Sequence, residues 1–471
     1  MKSEEFRAHA HAMVDWMADY LDQVERLPVK PEIAPHTVLK QLPAGPPDEG
    51  EPFDALFRDF REIILPGMTH WQHPSFFAYF PANASPPSIL AEMLTATLGA
   101  QCMSWATSPA ATELEERMMQ WLRSMIALPP AFTGVIQDTA TTSTLCALLT
   151  ARERRSGFRI NEKGFSSEAR YTVYCSSEAH SSIEKGVKIA GIGKEFLRKI
   201  PVGEDFSIIP PALAEAVTRD LRLGYTPLCV VAALGTTGST ALDPIRPLAA
   251  ICKEHDLWLH VDAAFAGTAM IVPEFRWIAD GVEEADSFVF NPHKWLFTNF
   301  DCSAYFVRDE ESLIRTFEIL PEYLKTTEAE RVHNYRDWGI QLGRRFRALK
   351  LWFVIRTYGV EGLRRMVRNH VALAQQLAET IRAAPDFELL APVPLNLLCF
   401  RYAPRTITDP AELDSLNARL LDSLNRSGHV FLSHTRLDGK YTLRLVIGQT
   451  NVQQRHVDDA WARIVATARA L

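Results

Sequence analysis

Apolar positions over residues 4–26 recur at helical spacing. Phe6, Met13, Met17, Leu21 and Val24 form one stripe, with Trp16 and Tyr20 beside it. That pattern predicts an amphipathic helix. Pro28, Pro31, Pro35, Pro43, Pro46 and Pro47 then predict an extended loop rather than a core element. A second helical pattern covers 52–64. The segment 69–87, THWQHPSFFAYFPANASPP, is too apolar for a solvated linker and too Pro-broken for a helix. Residues 1–85 therefore read as a helical arm that needs another surface to pack on, such as a second subunit.

From about residue 110 the pattern changes. TELEERMMQWLRSMI is helical in period. Short apolar runs then alternate with helical stretches: YTVYCS (171–176), CVVAALG (229–235), LWLHVDAA (257–264) and SFVFNPHK (287–294), with helices at 213–224 and 244–256 between them. Near-continuous apolar strands separated by helices predict an α/β domain with a largely parallel sheet, here placed over 86–349. Ligands gather at the C-terminal strand ends of such sheets. Beyond 345 the segment FRALKLWFVIRTYG and helices at 361–383 and 411–427 are interleaved with FELL, NLLCFRY, HVFLSHT and YTLRLVIG. These predict a smaller α+β domain over 350–471 with antiparallel strands.

Composition narrows the function classes. The chain of 471 residues is 47% hydrophobic and 23% charged, with 50 Lys+Arg against 57 Asp+Glu and a net charge of −7. No basic stripe is present, which argues against nucleic acid as a partner. No run approaches about 20 consecutive apolar residues, so no membrane span is expected. The N-terminal segment lacks the apolar core of a secretory signal. The seven cysteines are scattered without a CxxC pair. They predict neither a disulfide scaffold nor a zinc site, and suit a cytoplasmic protein with no metal.

Candidate chemistry lies at the strand ends. Lys294 follows SFVF in Asn291-Pro292-His293-Lys294-Trp295. Burial among apolar groups lowers a lysine pKa and suits it to imine formation with an aldehyde. Alone, it reads as readily as a surface lysine after a turn. Asp262 ends LWLHVD and is followed by small residues that admit a flat ring. A buried carboxylate needs a partner, and a protonated pyridine nitrogen would serve; capping the next helix is the plainer role. His180 follows YTVYCS, where its imidazole can stack on a ring or cap a helix. Gly235 to Thr240, GTTGST, can approach a ring or phosphate, or simply turn the chain. Gln137 to Thr144, QDTATTST, precedes a helix, and orphan N–H groups there bind phosphate. Walker and GxGxxG patterns are absent. An aldehyde, a cation, a ring face and a phosphate together specify pyridoxal phosphate.

The chain also resembles the group II pyridoxal-phosphate-dependent decarboxylases, within them the aromatic-L-amino-acid decarboxylases. The resemblance runs through THWQHPSFFAYFP, SWATSPAATELE, HVDAAFAG, NPHKW, DCSAYFV and LGRRFRALKLWFV. It implies pyridoxal 5'-phosphate fold type I, the aspartate-aminotransferase-like arrangement, and a homodimer with shared active sites. Lys294 matches the lysine that holds the cofactor, Asp262 the aspartate on the pyridine nitrogen, and His180 the histidine stacked on the ring. Thr237, Ala264, Ala140, Thr141, Asn291, His293 and Ser287 match positions at or near the cofactor.

The resemblance extends to substrate and outcome. Tyr323, in LPEYLK, matches the tyrosine of a catalytic loop, and a phenol is a credible general acid for the substrate Cα. Related aldehyde synthases carry Phe there. The resemblance thus implies decarboxylation of tryptophan, phenylalanine, tyrosine or dihydroxyphenylalanine to amine and CO2. Alternatives are oxidative conversion to an aldehyde or action on another amino acid such as histidine. Trp71, Phe80 and Pro81 are candidate pocket walls or simply core of the arm. Ala82, Gln101 and Met103 depart from the animal enzymes at substrate positions, and Gln137-Asp138-Thr139 replaces the usual Gly-Ser in the phosphate turn. Gly343 stands where histidine and plant tyrosine decarboxylases carry Ser; its extra room fits a bulky aromatic ring, or it is simply a helix-start glycine with no pocket role.

Overall fold

A computed structural model describes residues 1–165, 170–319 and 331–471. The chain forms two compact units: Ala82–Gln376 with Ala391–Leu398, and Met1–Pro81 with Leu377–Leu390 and Cys399–Leu471.

The larger unit holds a seven-stranded sheet. Its strands are β1 (Thr133–Gln137), β2 (Tyr171–Ser176), β3 (Leu197–Ile200), β4 (Thr226–Ala233), β5 (Trp258–Asp262), β6 (Ser287–Phe290) and β7 (Ser303–Val307). Their order is β1-β7-β6-β5-β4-β2-β3. β2, β3, β4, β5 and β6 pair in parallel, while β7 pairs antiparallel with both β1 and β6. The parallel α/β reading is met. Residues of β2 and β6 are buried throughout, which explains their unbroken apolar character. Because β1, β2, β4, β5 and β6 all run the same way, their C-terminal ends line one edge of the sheet. The helix Ala140–Ser156 follows β1 and packs across the sheet with Val135, Val173, Cys229 and Val289 in one core.

Close approach at that edge depends on two glycines. A Cβ on Gly267 would lie 2.5 Å from the Phe290 Cβ. Gly235 has φ of +85°, and a Cβ there would meet Ala266 at 2.8 Å. The turns after β4 and β5 can therefore nest against each other and against β6.

A second sheet, in the order β10-β11-β9-β8, is formed by β8 (Phe387–Leu389), β9 (Leu397–Tyr402), β10 (Ser433–Leu437) and β11 (Lys440–Val446); β8 pairs antiparallel with β9, and β10 with β11. The units divide the chain differently from the expected segments 1–85, 86–349 and 350–471. The reason is hydrogen bonding between the aromatic segment after residue 69 and the C-terminal strands. Phe77 N–H donates to Phe431 O, Phe431 N–H to Ser75 O, and Val446 N–H to Phe77 O. The helix expected at 4–26 is present at Ser3–Gln23 but has no buried residue. A break in the long helix Arg347–Ala383 falls at Gly359, with φ of +64°, where the two expected helices meet.

Candidate active site

The parallel edge brings four strand ends together. His180 stands four residues beyond β2, Gly235 to Thr240 follow β4, Asp262 ends β5, and Lys294 lies four beyond β6. The register sets Asp262 level with Ala233 and Val289. Ala263 N–H donates to Val289 O and Asn291 N–H to Ala264 O, so the two segments leaving β5 and β6 are bound side by side. Asp262 Oδ1 accepts the Ala264 N–H at 3.1 Å.

Lys294 sits in a single helical turn, Pro292–Trp295. Asn83 Nδ2 donates to its backbone carbonyl at 2.8 Å. Trp295 stacks on Phe265 at 4.9 Å and donates Nε1–H to His370 Nδ1 at 2.9 Å, which anchors the turn from behind. Burial lowers the Lys294 pKa, and the Asp262 charge opposes that shift. A larger neutral fraction makes the amine a better nucleophile. His180 behaves similarly: burial lowers its pKa, Asp262 raises it and Lys294 lowers it. The Ser182 N–H donates to His180 Nδ1 at 3.1 Å. The neutral ring therefore carries its proton on Nε2.

The phosphate end is built from the helix after β1. Thr139 caps it, its hydroxyl accepting the Thr142 N–H and its carbonyl the Ser143 N–H. Ala140 and Thr141 are then the first-turn residues with open N–H donors. Ser143 Oγ lies 3.3 Å from Ser303 Oγ, and the preceding residue, Cys302, donates its N–H to His293 Nδ1 at 2.8 Å. The helix start and His293 thus flank the same Cys302–Ser303 segment. Burial pushes the His293 pKa down to about 3, aided by Lys294, so Nε2 bears the proton. The buried Asn291 Oδ1 has no hydrogen-bond partner, leaving an open position on its amide. N–H donors and the Nε2–H of a neutral imidazole fit a phosphate; an amine beside a carboxylate and an imidazole face fit a pyridine aldehyde. The residues present therefore suit pyridoxal phosphate.

Not every expected residue joins this cleft. Ala264 borders it, and Thr237 is exposed on the turn after β4, which Thr236 and Ser239 organise through a 3.2 Å hydroxyl contact. Ser287 is placed otherwise. It begins β6, is fully buried, and its hydroxyl meets Trp258 Nε1 and His260 Nδ1, both at 2.8 Å. It acts on His260, whose Nε2 lies 3.2 Å from Thr144 Oγ1. His260 went unnoticed in the sequence. Its signal was its place two residues before Asp262, on the same strand face.

Gln101, Met103 and Gly343 form a second cluster. Cys102 N–H donates to Arg344 O, Arg336 N–H to Met103 O, and Arg344 N–H to Gln101 Oε1 at 2.7 Å. A Cβ on Gly343 would sit 3.2 Å from Gln101 Nε2. Ala82 begins the larger unit and is half-buried. Trp71, Phe80 and Pro81 belong to the other unit, where Trp71 packs on Phe76 at 4.4 Å and Arg444 lies over Phe80 at 5.6 Å. Tyr323 lies outside the described residues.

Residues 35–403 match the conserved domain of pyridoxal-dependent decarboxylases. The chain belongs to this family. Among its relatives, tryptophan decarboxylase 2 of Oryza sativa subsp. japonica is 42% identical over 98% of this chain and 94% of the relative. A phenylacetaldehyde synthase of Arabidopsis thaliana is 43% identical over 100% and 97%. The crystal structure of Oryza sativa TDC with PLP and tryptamine is 36% identical with a TM-score of 0.96, covering 100% of this chain and 99% of that one. The fold is therefore that of the fold type I decarboxylases, and the family's cofactor is the one for which the strand-end residues are suited.

Proposed function

We propose that this family member decarboxylates an aromatic L-amino acid, such as tryptophan, phenylalanine, tyrosine or dihydroxyphenylalanine, to the corresponding amine and CO2. The carrying observation is the convergence of Lys294, Asp262 and His180 on one sheet edge, with Asp262 acting electrostatically on both bases. Relatives that act on aromatic substrates at over 40% identity support the substrate class.

Pyridoxal phosphate supplies an electron sink for the pair released when the Cα–carboxylate bond breaks. The chain's residues do the rest. Ala140, Thr141, Asn291 and His293 hold the phosphate, and Ala264 and Thr237 border the ring. Asp262 keeps a positive charge on the ring nitrogen. His180 offers its ring face and its Nε2 proton toward the substrate. Lys294 Nζ would hold the cofactor aldehyde, and its depressed pKa would let it take up and release a proton beside the substrate amine. Tyr323 delivers a proton to Cα, which favours amine over aldehyde.

The pocket reading assigns Trp71, Phe80, Pro81, Ala82, Gln101, Met103 and Gly343 to the substrate ring. A homodimer with shared sites is supported by apolar surface left bare in one chain: Leu90, Leu94 and Leu98 are 52%, 47% and 65% exposed along one helix. A cytoplasmic setting is supported by seven free, buried cysteines. The test is a panel of aromatic amino acids and histidine with amine, CO2 and hydrogen peroxide all measured. Amine and CO2 in equal amounts from an aromatic substrate support the reading. Aldehyde with peroxide, or turnover of histidine alone, refutes it.

A further inference from the structure

The turn that should receive the cofactor phosphate carries a fixed negative charge. Asp138 Oδ1 accepts the Thr139 N–H at 2.6 Å and the Thr139 hydroxyl at 3.3 Å. Its Oδ2 accepts Gln341 Nε2–H at 2.9 Å. Both oxygens are thus held two residues before Ala140. Burial alone would raise this carboxyl's pKa, but hydrogen bonds from Thr142, Thr139 and Gln341 and the Arg347 charge outweigh burial and leave it lowered. Asp138 is therefore ionised at neutral pH.

An aspartate at a helix start is favourable to the helix itself. Beside a bound phosphate, the same charge is repulsive. The cation that bears on Asp138 is Arg347, whose Nε is already bound to Asp301 at 2.9 Å, so the offset is partial. The phosphate's place does not rest on the helix start alone. The buried His293, whose Nδ1 accepts the Cys302 N–H and whose Nε2 therefore carries the proton, fits an anion independently, and the Ser143–Ser303 and Cys302–His293 hydrogen bonds join the two sides.

We infer that Asp138 sets cofactor affinity: its fixed carboxylate selectively weakens the hold on the phosphorylated cofactor. This rests on the proposed phosphate-binding role of the turn. The consequence is a protein that exchanges pyridoxal phosphate readily, so that its active fraction follows cofactor supply.

The experiment strips the full chain of cofactor and titrates it with pyridoxal phosphate and, separately, with unphosphorylated pyridoxal. Asp138→Asn keeps an acceptor for the Thr139 N–H and removes the charge. The expected result is that Asp138→Asn tightens pyridoxal phosphate roughly tenfold, an order-of-magnitude Coulomb expectation, and leaves pyridoxal nearly unchanged. The ratio of the two Kd values separates charge from general damage to the turn, since damage moves both ligands. An unaltered or smaller preference in the variant overturns the role of Asp138. If the unmodified protein itself shows no preference for the phosphorylated form, the phosphate-site reading fails instead.

Discussion

Glu115→Ala should disturb both stability and substrate binding while sparing the cofactor site. Glu115 and Arg344 are 2% and 7% exposed. The carboxylate accepts Arg344 Nη2–H at 2.6 Å and Nη1–H at 3.1 Å, and also the Ile136 N–H at 2.9 Å. Removing one partner of such a pair strands the other charge, typically at about 3–5 kcal/mol. Arg344 would retain the Ile136 carbonyl at 2.8 Å and the face of Tyr335 at 5.0 Å. The loss is therefore expected at the lower end, about 3 kcal/mol. Arg344 also holds Gln101 and Cys102 through its backbone. Loosening it should displace Gln101, Met103 and Gly343, and raise KM more than it lowers kcat. Urea unfolding gives the stability, and steady-state kinetics at saturating cofactor give the split. Pairing Glu115→Leu with Arg344→Met should restore much of the stability, because no charge is then stranded. A loss under about 1 kcal/mol with unchanged KM would refute this account.

Three further outcomes follow from the site and the arm. Lys294→Ala should abolish the visible absorbance of the bound cofactor together with turnover; a normal spectrum and rate would remove Lys294 from its role. Tyr323→Phe should divert product from amine to aldehyde with oxygen uptake, and an undiminished amine yield would count against Tyr323 as proton donor. His73, whose Nδ1 accepts the Ser75 N–H at 2.9 Å, has a pKa pushed down to about 4, chiefly by burial. Its folded value lies below the unfolded one, so its stabilisation is present above about pH 6.5 and is lost as pH falls through about 4, on the order of 3 kcal/mol in all. Melting temperature should therefore fall between pH 7 and 4.5, and His73→Asn should flatten that slope; an equal slope in the variant would show that His73 is not responsible.

The strands that carry the chemistry were legible because each is a short apolar run ending in a polar residue that its surroundings must satisfy. YTVYCS, LWLHVD and SFVF are β2, β5 and β6 nearly to the residue. β1 and β7 escaped notice as strands. Their partner residues, such as Val135 and Tyr305, are far apart in sequence, and a strand of five residues is not revealed by periodicity alone. The same limit hid the joining of the N-terminal arm to the C-terminal strands. Only the geometry of Phe77 with Phe431 and Val446 discloses it. Within the site, Lys294, Asp262 and His180 could be read because their chemistry is exposed in the pattern. Ser287 matched in sequence, yet its work is to hold His260, because a residue at the start of β6 lies a strand's length from the end that bears Lys294. Sequence identity reports which residue is present; strand direction decides what it can touch.

Near-equal identity to a tryptophan decarboxylase, 42%, and to a phenylacetaldehyde synthase, 43%, carries a physical lesson about outcome. The two activities share a fold and a cofactor, so overall likeness measures the common scaffold. On the mechanism proposed above, the products diverge at one competition: a proton reaching the substrate Cα against oxygen reaching the same carbon. That competition is governed by the presence and position of one acidic hydroxyl, a change too small to register in whole-chain identity. Tyr323 is the residue on which the amine prediction turns. Gly343 beside Gln101 leaves space where a serine would place a Cβ 3.2 Å from the Gln101 amide nitrogen. On the proposed reading, reaction outcome and substrate size are set by different residues, and Tyr323→Phe and Gly343→Ser should each change one without the other.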